Sequence, residues 1–188
     1  VNLFVGELLN NKSINLDKKV SYYLPKIGTG YANAKVQDVL NMNVINAYTE
    51  DYTKAYSSSF LHEPVGGWRL PKNGDKHLSQ EDYLNTIKSK KNRNLINKSN
   101  LAFYKSANTD VVGLIVEKIS GKPLRHWMLR AVEAAGFEEG IYIASDRYGM
   151  PWMSGGGCLI TRDFLRMGLL FARKGKGVGN RKIGSASF

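Results

Sequence analysis

Apolar residues recur at helical spacing in the second half of the chain. The clearest series advances in steps of three and one residues and consists of Leu124, Trp127, Met128, Ala131, Val132 and Ala135. Residues spaced in this way share one face of a helix, so the series predicts an amphipathic packing helix. Pro123 is suited to the start of that helix, and Gly136 is suited to its end.

A second apolar series lies immediately before the first and predicts a helix that is buried on most sides. Its members are Val111, Val112, Leu114, Ile115 and Ile119. Asn108 or Thr109 can cap the start of this helix, because short polar side chains accept hydrogen bonds from its first free N–H groups. Gly121 can end the helix in the left-handed conformation, which glycine adopts without steric cost.

Shorter patterns predict further elements along the chain. Residues 1–9 are apolar on most faces of a helix, and residues 36–42 form a short helical series. Ser79 and Thr161 are each suited to cap a helix that follows them. Residues 141–144 predict one short strand.

The region from residue 47 to residue 75 is rich in aromatic side chains but has no regular period. It contains Tyr48, Tyr52, Tyr56, Phe60 and Trp68 among serine and glycine residues. So many aromatic rings need a surface on which to pack. Two interpretations stay open: a cap or pocket wall, and local clusters that cover a helical core.

Length and composition indicate one domain with a proper core. The chain has 188 residues, of which 43% are hydrophobic, and it has no apolar run long enough to span a bilayer. The single Cys158 excludes an internal disulfide and a multi-cysteine metal site. Localisation stays open between cytoplasm and periplasm, because no targeting segment can be recognised.

The formal net charge is +11, and such an excess can indicate a nucleic-acid or anionic-surface partner. Here the basic residues are scattered, and their densest cluster, residues 88–94, lies in a stretch rich in asparagine and serine. No aromatic residues interleave with that cluster, as a groove for single strands would need. Nucleic-acid binding is therefore not expected and is kept only as the less favoured alternative.

Complete catalytic motifs are absent from these 188 residues. His62, His77 and His126 do not have the spacing of a zinc site on one helix. Ser154 lacks the glycine two residues before it that the nucleophile turn of α/β-hydrolases requires. No serine is followed by a lysine three residues later. Neither a metal nor a cofactor is expected.

Tyr104 lies just before the buried helix, and that position is suited to chemistry. The free N–H groups and the positive end of the dipole at a helix N-terminus favour a negatively charged group. A phenol in water is otherwise a poor base at neutral pH. The plainer alternative is a half-buried aromatic residue that only packs against the helix.

The sequence around Tyr104 resembles a conserved block of the beta-lactamase-related serine hydrolases. Residues 103–124, with Tyr104-Lys105-Ser106 near their start, carry the resemblance. The family includes class C beta-lactamases, D-alanyl-D-alanine peptidases, esterases and 6-aminohexanoate-dimer hydrolases. The dimer-hydrolase and esterase branch typically has Tyr-x-Ser where class C beta-lactamases have Tyr-x-Asn, so the chain is most similar to that branch.

Other stretches agree with this family in order and spacing. Residues 14–25 resemble its segment after the nucleophile helix. Residues 39–42 resemble its Leu-Leu-x-Met, although residues 43–46 depart from the Thr-x-Gly that usually follows. Residues 154–168 resemble its glycine pair and the helix after it. The resemblance spans nearly the whole chain, and the tyrosine block is its most specific part.

The resemblance implies an α+β fold of the beta-lactamase/transpeptidase type, mainly the helical subdomain with an incomplete α/β subdomain. Residues 1–188 are expected to be a single partial domain and an internal fragment. The Ser-x-x-Lys nucleophile motif would lie before residue 1, and the third motif, which helps to form the oxyanion hole, would lie after residue 188. The apolar faces of residues 1–9 and 164–171 would then be exposed, because they would normally cover the missing sheet.

The activity implied by the resemblance is acyl transfer through a covalent intermediate. Tyr104 would act as general base and then as general acid, and Ser106 would orient Tyr104 or the lysine of the nucleophile motif. Ser154 and Gly155 would line the site of a small amide or ester substrate. The oligomeric state stays open. A non-catalytic binding or structural module of the same fold is the main alternative.

Overall fold

The computed structural model describes residues 1–73, 78–99 and 101–184. The described residues do not include Gly74 and Asp75, at the end of the aromatic region. They also do not include the histidine at position 77 or the expected domain boundary at Phe188. Within the described ranges the chain is mainly helical, with one small antiparallel sheet.

Helices and strands alternate with turns and irregular segments. In the described residues the helices are α1 (Asn2–Asn10), α2 (Val20–Tyr23), α3 (Thr29–Ala32), α4 (Val36–Leu40), α5 (Ser58–His62), α6 (Gln80–Asn85), α7 (Ser106–Ser120), α8 (Leu124–Ala135) and α9 (Thr161–Ala172). Strands β1 (Tyr142–Ile143) and β2 (Gly157–Cys158) pair antiparallel, with Tyr142 opposite Cys158. None of the helices in these ranges is both long and apolar enough to cross a bilayer.

Helix α7 lies at the centre of the core. Helices α1, α2, α4, α6 and α8 all pack against it, whereas α9 packs against α8. Residues 106–108 and 110–116 of α7 are buried. The prediction that this helix is buried on most sides is therefore confirmed, and its start is the point where the candidate chemistry lies.

The ends of α7 and α8 agree with the sequence prediction. Gly121 follows α7 with a φ angle of 62°, and Gly136 follows α8 with a φ angle of 70°, so both are left-handed caps. Ser79 is confirmed as the N-cap of α6. Its hydroxyl accepts from the Asp82 N–H at 3.0 Å, and the Asp82 carboxylate accepts from the Ser79 N–H at 3.3 Å.

The predicted start of α7 at Asn108 or Thr109 is wrong. The helix begins at Ser106, so Asn108 lies inside its first turn. There Asn108 Oδ1 accepts from the Tyr31 hydroxyl at 2.8 Å, and Asn108 Nδ2 donates to the Val39 carbonyl at 3.2 Å. Asn108 therefore ties α3 and α4 to α7 instead of capping a helix. Thr161 is likewise the first residue of α9 and not its cap.

The expectation of two exposed apolar helix faces is wrong for α1 and confirmed for α9. The apolar residues of α1 are buried in the core, and they include Leu3, Phe4, Val5 and Leu8. Four large apolar residues of α9 are exposed: Phe164 at 69%, Leu165 at 63%, Phe171 at 51% and Leu169 at 39%. The difference arises because α1 packs against the central helix, whereas α9 contacts α8 with its other face.

Candidate active site at the start of helix α7

Glu50 caps helix α7 from a distant part of the chain. Lys105, which precedes the helix, has an extended backbone and provides no side-chain cap. The Ser106 N–H instead donates to Glu50 Oε2 at 3.0 Å, and the Ser106 hydroxyl donates to Glu50 Oε1 at 2.6 Å. A carboxylate is favoured here because a helix N-terminus has free N–H groups and a partial positive charge. The helix therefore starts where Glu50 reaches it.

Tyr104 and Tyr52 lie beside this cap with their rings partly open to solvent. Tyr104 is 56% exposed and Tyr52 is 64% exposed. The Tyr52 hydroxyl also donates to Glu50 Oε1. Partial burial raises the pKa of Tyr52, and the hydrogen bond to Glu50 and the nearby Tyr104 act in the same direction. The two phenols are therefore close enough to influence each other, next to the serine of the Tyr-x-Ser motif.

Lys105, the middle residue of that motif, extends into the protein. Its side chain is buried, and its Nζ donates to the Tyr48 carbonyl at 2.5 Å. The Nζ also lies 4.7 Å from the centre of the Phe103 ring, within range of a cation–π contact. Burial lowers the pKa of Lys105 to about 8, while the charge of Glu50 acts in the opposite direction. These contacts fasten the segment around residue 48 to the start of α7.

A buried polar pair lies one turn further along α7. Asp110 Oδ2 and His62 Nε2 are 4.0 Å apart, and both side chains are fully buried. Burial raises the pKa of Asp110 to about 7 and lowers the pKa of His62 to about 3. His62 Nδ1 is 3.3 Å from the Tyr48 hydroxyl, and the His62 ring stacks on Tyr83 with the ring centres 4.5 Å apart. Both groups are therefore favoured in their neutral forms.

Ser154 lies against this second turn of α7 rather than at its start. The Ser154 N–H donates to Asp110 Oδ1 at 3.1 Å, and the Ser154 hydroxyl oxygen is buried. Gly155 is exposed. Gly156 has a φ angle of 73°, and a Cβ added there would lie only 2.9 Å from the Ala144 Cβ. The glycine-rich loop therefore packs closely, and Asp110 links it to the helix that Tyr104 precedes.

The aromatic region does form a pocket wall, but not at Tyr104. A mainly apolar pocket of about 350 Å³ is lined by Tyr56, Phe60 and other residues of this region together with Tyr83. Tyr104 and Ser106 do not line it. Across the described ranges, no three His, Cys, Asp or Glu side chains are placed to hold a metal ion.

Two acidic residues near the motif were not singled out by the sequence patterns: Glu50 and Asp110. The sequence context of each could have marked it. Glu50 is an acidic residue within an aromatic stretch, and Asp110 interrupts an apolar helical series. Charged residues in such surroundings are rarely buried without a partner, and that rule marks them as candidates for specific contacts.

The amino-acid sequence is similar to that of a characterised hydrolase. It is 29% identical to a 6-aminohexanoate-dimer hydrolase of Paenarthrobacter ureafaciens over an alignment that covers 95% of this chain and 44% of that protein. The chain therefore spans less than half the length of this relative. No protein-family model matches the chain.

Solved structures with the same fold are also hydrolases by name. A Bacillus anthracis protein provisionally named a 6-aminohexanoate-dimer hydrolase superposes with a TM-score of 0.76 and 21% identity, covering 99% of this chain and 49% of that one. A D-stereospecific amidohydrolase from Streptomyces superposes with a TM-score of 0.60 and 15% identity, covering 95% of this chain and 59% of that one. The chain thus has the α+β fold of beta-lactamase-like amidohydrolases and is similar in sequence to a 6-aminohexanoate-dimer hydrolase.

Proposed function

We propose that these residues are the Tyr-x-Ser part of a serine hydrolase that cleaves an amide or ester bond of a small substrate through an acyl-enzyme. Residues 1–188 would form part of a single domain, and the nucleophile and oxyanion donors would come from outside them. Amides are favoured over esters, because one relative is named an amidohydrolase and 6-aminohexanoate units are joined in a dimer by an amide bond.

The placement of Tyr104 is the observation that supports this proposal most directly. Its ring is 56% exposed immediately before the N-terminus of α7, where a reacting group can approach. Tyr104 would accept the proton of the attacking serine and then deliver a proton to the leaving group. Ser106 would orient the neighbouring groups, and the Ser154–Gly155 loop would contribute to the substrate site.

The test is hydrolysis by the whole protein of the linear 6-aminohexanoate dimer and of a p-nitrophenyl ester. Tyr104→Phe is expected to lower kcat by at least about 100-fold, the usual contribution of a general acid–base group. Tyr22→Phe is the matched control, because Tyr22 is 66% exposed on α2 and lies outside the site. Full activity of the Tyr104→Phe enzyme would contradict the proposal.

A non-catalytic module of the same fold is the alternative, because no serine in these 188 residues has a lysine three positions later. A Ser-x-x-Lys motif encoded just upstream of residue 1 would favour the enzyme. The isolated chain is expected to be inactive in either case, since it lacks a nucleophile with its base. Ester hydrolysis by the isolated chain that disappears in Tyr104→Phe would refute that expectation.

A further inference from the structure

The carboxylate of Glu50 accepts hydrogen bonds from Ser106 and Tyr52 at the start of α7. It accepts from the Ser106 N–H and hydroxyl at 3.0 and 2.6 Å, and also from the Tyr52 hydroxyl. An ionised carboxylate has no proton to donate, so the direction of each of these hydrogen bonds is fixed. A serine hydroxyl has one proton, and in Ser106 that proton is directed at Glu50.

We propose that Glu50 is a positioning residue that fixes the Ser106 hydroxyl as a hydrogen-bond acceptor towards the reacting groups and holds Tyr52 beside Tyr104. The inference rests on the function proposed above. With its proton committed to Glu50, Ser106 Oγ presents only lone pairs on its remaining side. It therefore selects an N–H donor, either an ammonium group or the N–H of an amide, and disfavours a carbonyl or carboxylate oxygen.

The segment just before Glu50 is anchored by two hydrogen bonds. Asn46 Nδ2 donates to the Gly30 carbonyl at 3.2 Å, and the buried Lys105 Nζ donates to the Tyr48 carbonyl at 2.5 Å. The carboxylate also lies at the N-terminus of a helix whose first turn has no acidic residue of its own. Glu50 is therefore held in place by its chain neighbours, and its carboxylate faces the positive end of the helix dipole.

A double-mutant cycle in the whole protein tests whether Glu50 acts through Ser106. Glu50→Gln is expected to lower kcat at least tenfold with little change in KM, and Ser106→Ala is expected to do the same. The double variant should be no slower than Ser106→Ala alone, because removing the hydroxyl removes what Glu50 positions. Losses that multiply in the double variant would overturn the inference. Glu63→Gln is the control, since Glu63 pairs with Arg69 outside the site.

A conservative variant separates positioning from helix stabilisation. Glu50→Asp keeps the negative charge near the helix dipole, but its shorter side chain cannot reach both the N–H and the hydroxyl of Ser106. Compared with Glu50→Gln, the Glu50→Asp variant is expected to have the wild-type melting temperature but to keep the lowered kcat. Recovery of kcat together with stability would show that Glu50 is only structural.

A spectroscopic readout does not depend on activity. The amide proton of Ser106 should move upfield and exchange faster in Glu50→Gln, while amides in the middle of α7 keep their shifts. If Tyr104→Phe retains full activity but the Ser106 amide responds in this way, the proposed function fails and the Glu50 contact stands. An unchanged Ser106 amide would overturn the contact itself.

Discussion

The buried pair of His62 and Asp110 predicts an unusual dependence of stability on pH. Their side chains are 0% exposed, and the 4.0 Å between Nε2 and Oδ2 is too long for a hydrogen bond. Neither of these two atoms has a hydrogen-bond partner among the residues that the structure describes. Burial raises the pKa of Asp110 to about 7 and lowers the pKa of His62 to about 3. Between about pH 3 and 7, the folded protein therefore keeps Asp110 protonated and His62 neutral.

The two residues act on stability with opposite signs. The pKa of Asp110 is higher in the folded state than in the unfolded state, so its contribution is fully present below about pH 4 and is lost as pH rises to about 7. The pKa of His62 is lower when folded, so its contribution is fully present above about pH 6.5 and is lost as pH falls to about 3. Between about pH 4 and 6.5, the pair binds one proton in the folded state and one in the unfolded state. The opposite effects of Asp110 and His62 on the pH dependence of the unfolding free energy therefore cancel.

Removal of either residue should reveal the effect of the other on how the free energy of unfolding depends on pH. In Asp110→Asn, the free energy of unfolding is expected to rise by about 1.4 kcal/mol per pH unit, relative to wild type, between pH 4.5 and 6.5. In His62→Gln, it is expected to fall by about the same amount per pH unit. Urea unfolding at pH 4.5, 5.5 and 6.5 measures both differences, and comparison with wild type removes the contributions of the other groups.

His126→Gln is the control for this experiment, because His126 is exposed on α8. The difference in unfolding free energy between His126→Gln and wild type should not change comparably with pH. If the free energies of unfolding of Asp110→Asn and His62→Gln changed with pH in the same direction and by the same amount, that result would refute the reasoning. So would an imidazolium pattern of ring-nitrogen shifts for His62 in the wild-type protein at pH 5.5, because it would show an ion pair in place of two neutral groups.

Four further substitutions test the exposed helix face and the fold. Phe164→Asp should reduce self-association of the isolated chain in light scattering, since Phe164 is 69% exposed on α9, and a monodisperse wild-type chain would contradict this. Gly121→Ala should cost about 1 to 2 kcal/mol through its φ of 62° alone, and Gly156→Ala should cost more because its Cβ would also meet Ala144. Asn108→Ala should cost about 1 to 3 kcal/mol in urea unfolding, because it leaves the buried Tyr31 hydroxyl unpaired and removes one of the hydrogen bonds to the Val39 carbonyl.

Helices whose boundaries depend on local signals could be predicted from the sequence. The apolar period of α8 and its flanking Pro123 and Gly136 define that helix to within a residue. The start of α7 could not be predicted in this way, because its cap is Glu50, which is 56 positions away in the chain. Helix α5 was missed for another reason. Its serine-rich start is typical of a turn, although Ser57 is its N-cap and accepts from the Phe60 N–H.

The candidate site was predictable only in part, for the same physical reason. Tyr104 and Ser106 belong to a contiguous motif, so the sequence alone places them together. Their partners Glu50 and Tyr52 come from the aromatic segment, and hydrogen bonds across such distances leave no periodic pattern. The burial of α1 was also missed, because the resemblance implied a sheet over its apolar face, whereas the structure packs that face against α7.

The polar residues that interrupt the apolar series of α7 determine how this helix is oriented. Ser106 and Asp110 are four positions apart, so they lie on one side of the helix, where they contact Glu50 and Ser154. Asn108 contacts Tyr31 and Val39 from a different side. An apolar surface that is buried all round permits several rotations about the helix axis, because apolar contacts have no direction. Hydrogen bonds are directional, so these three residues together permit one rotation, and that rotation sets where Tyr104 lies at the start of the helix.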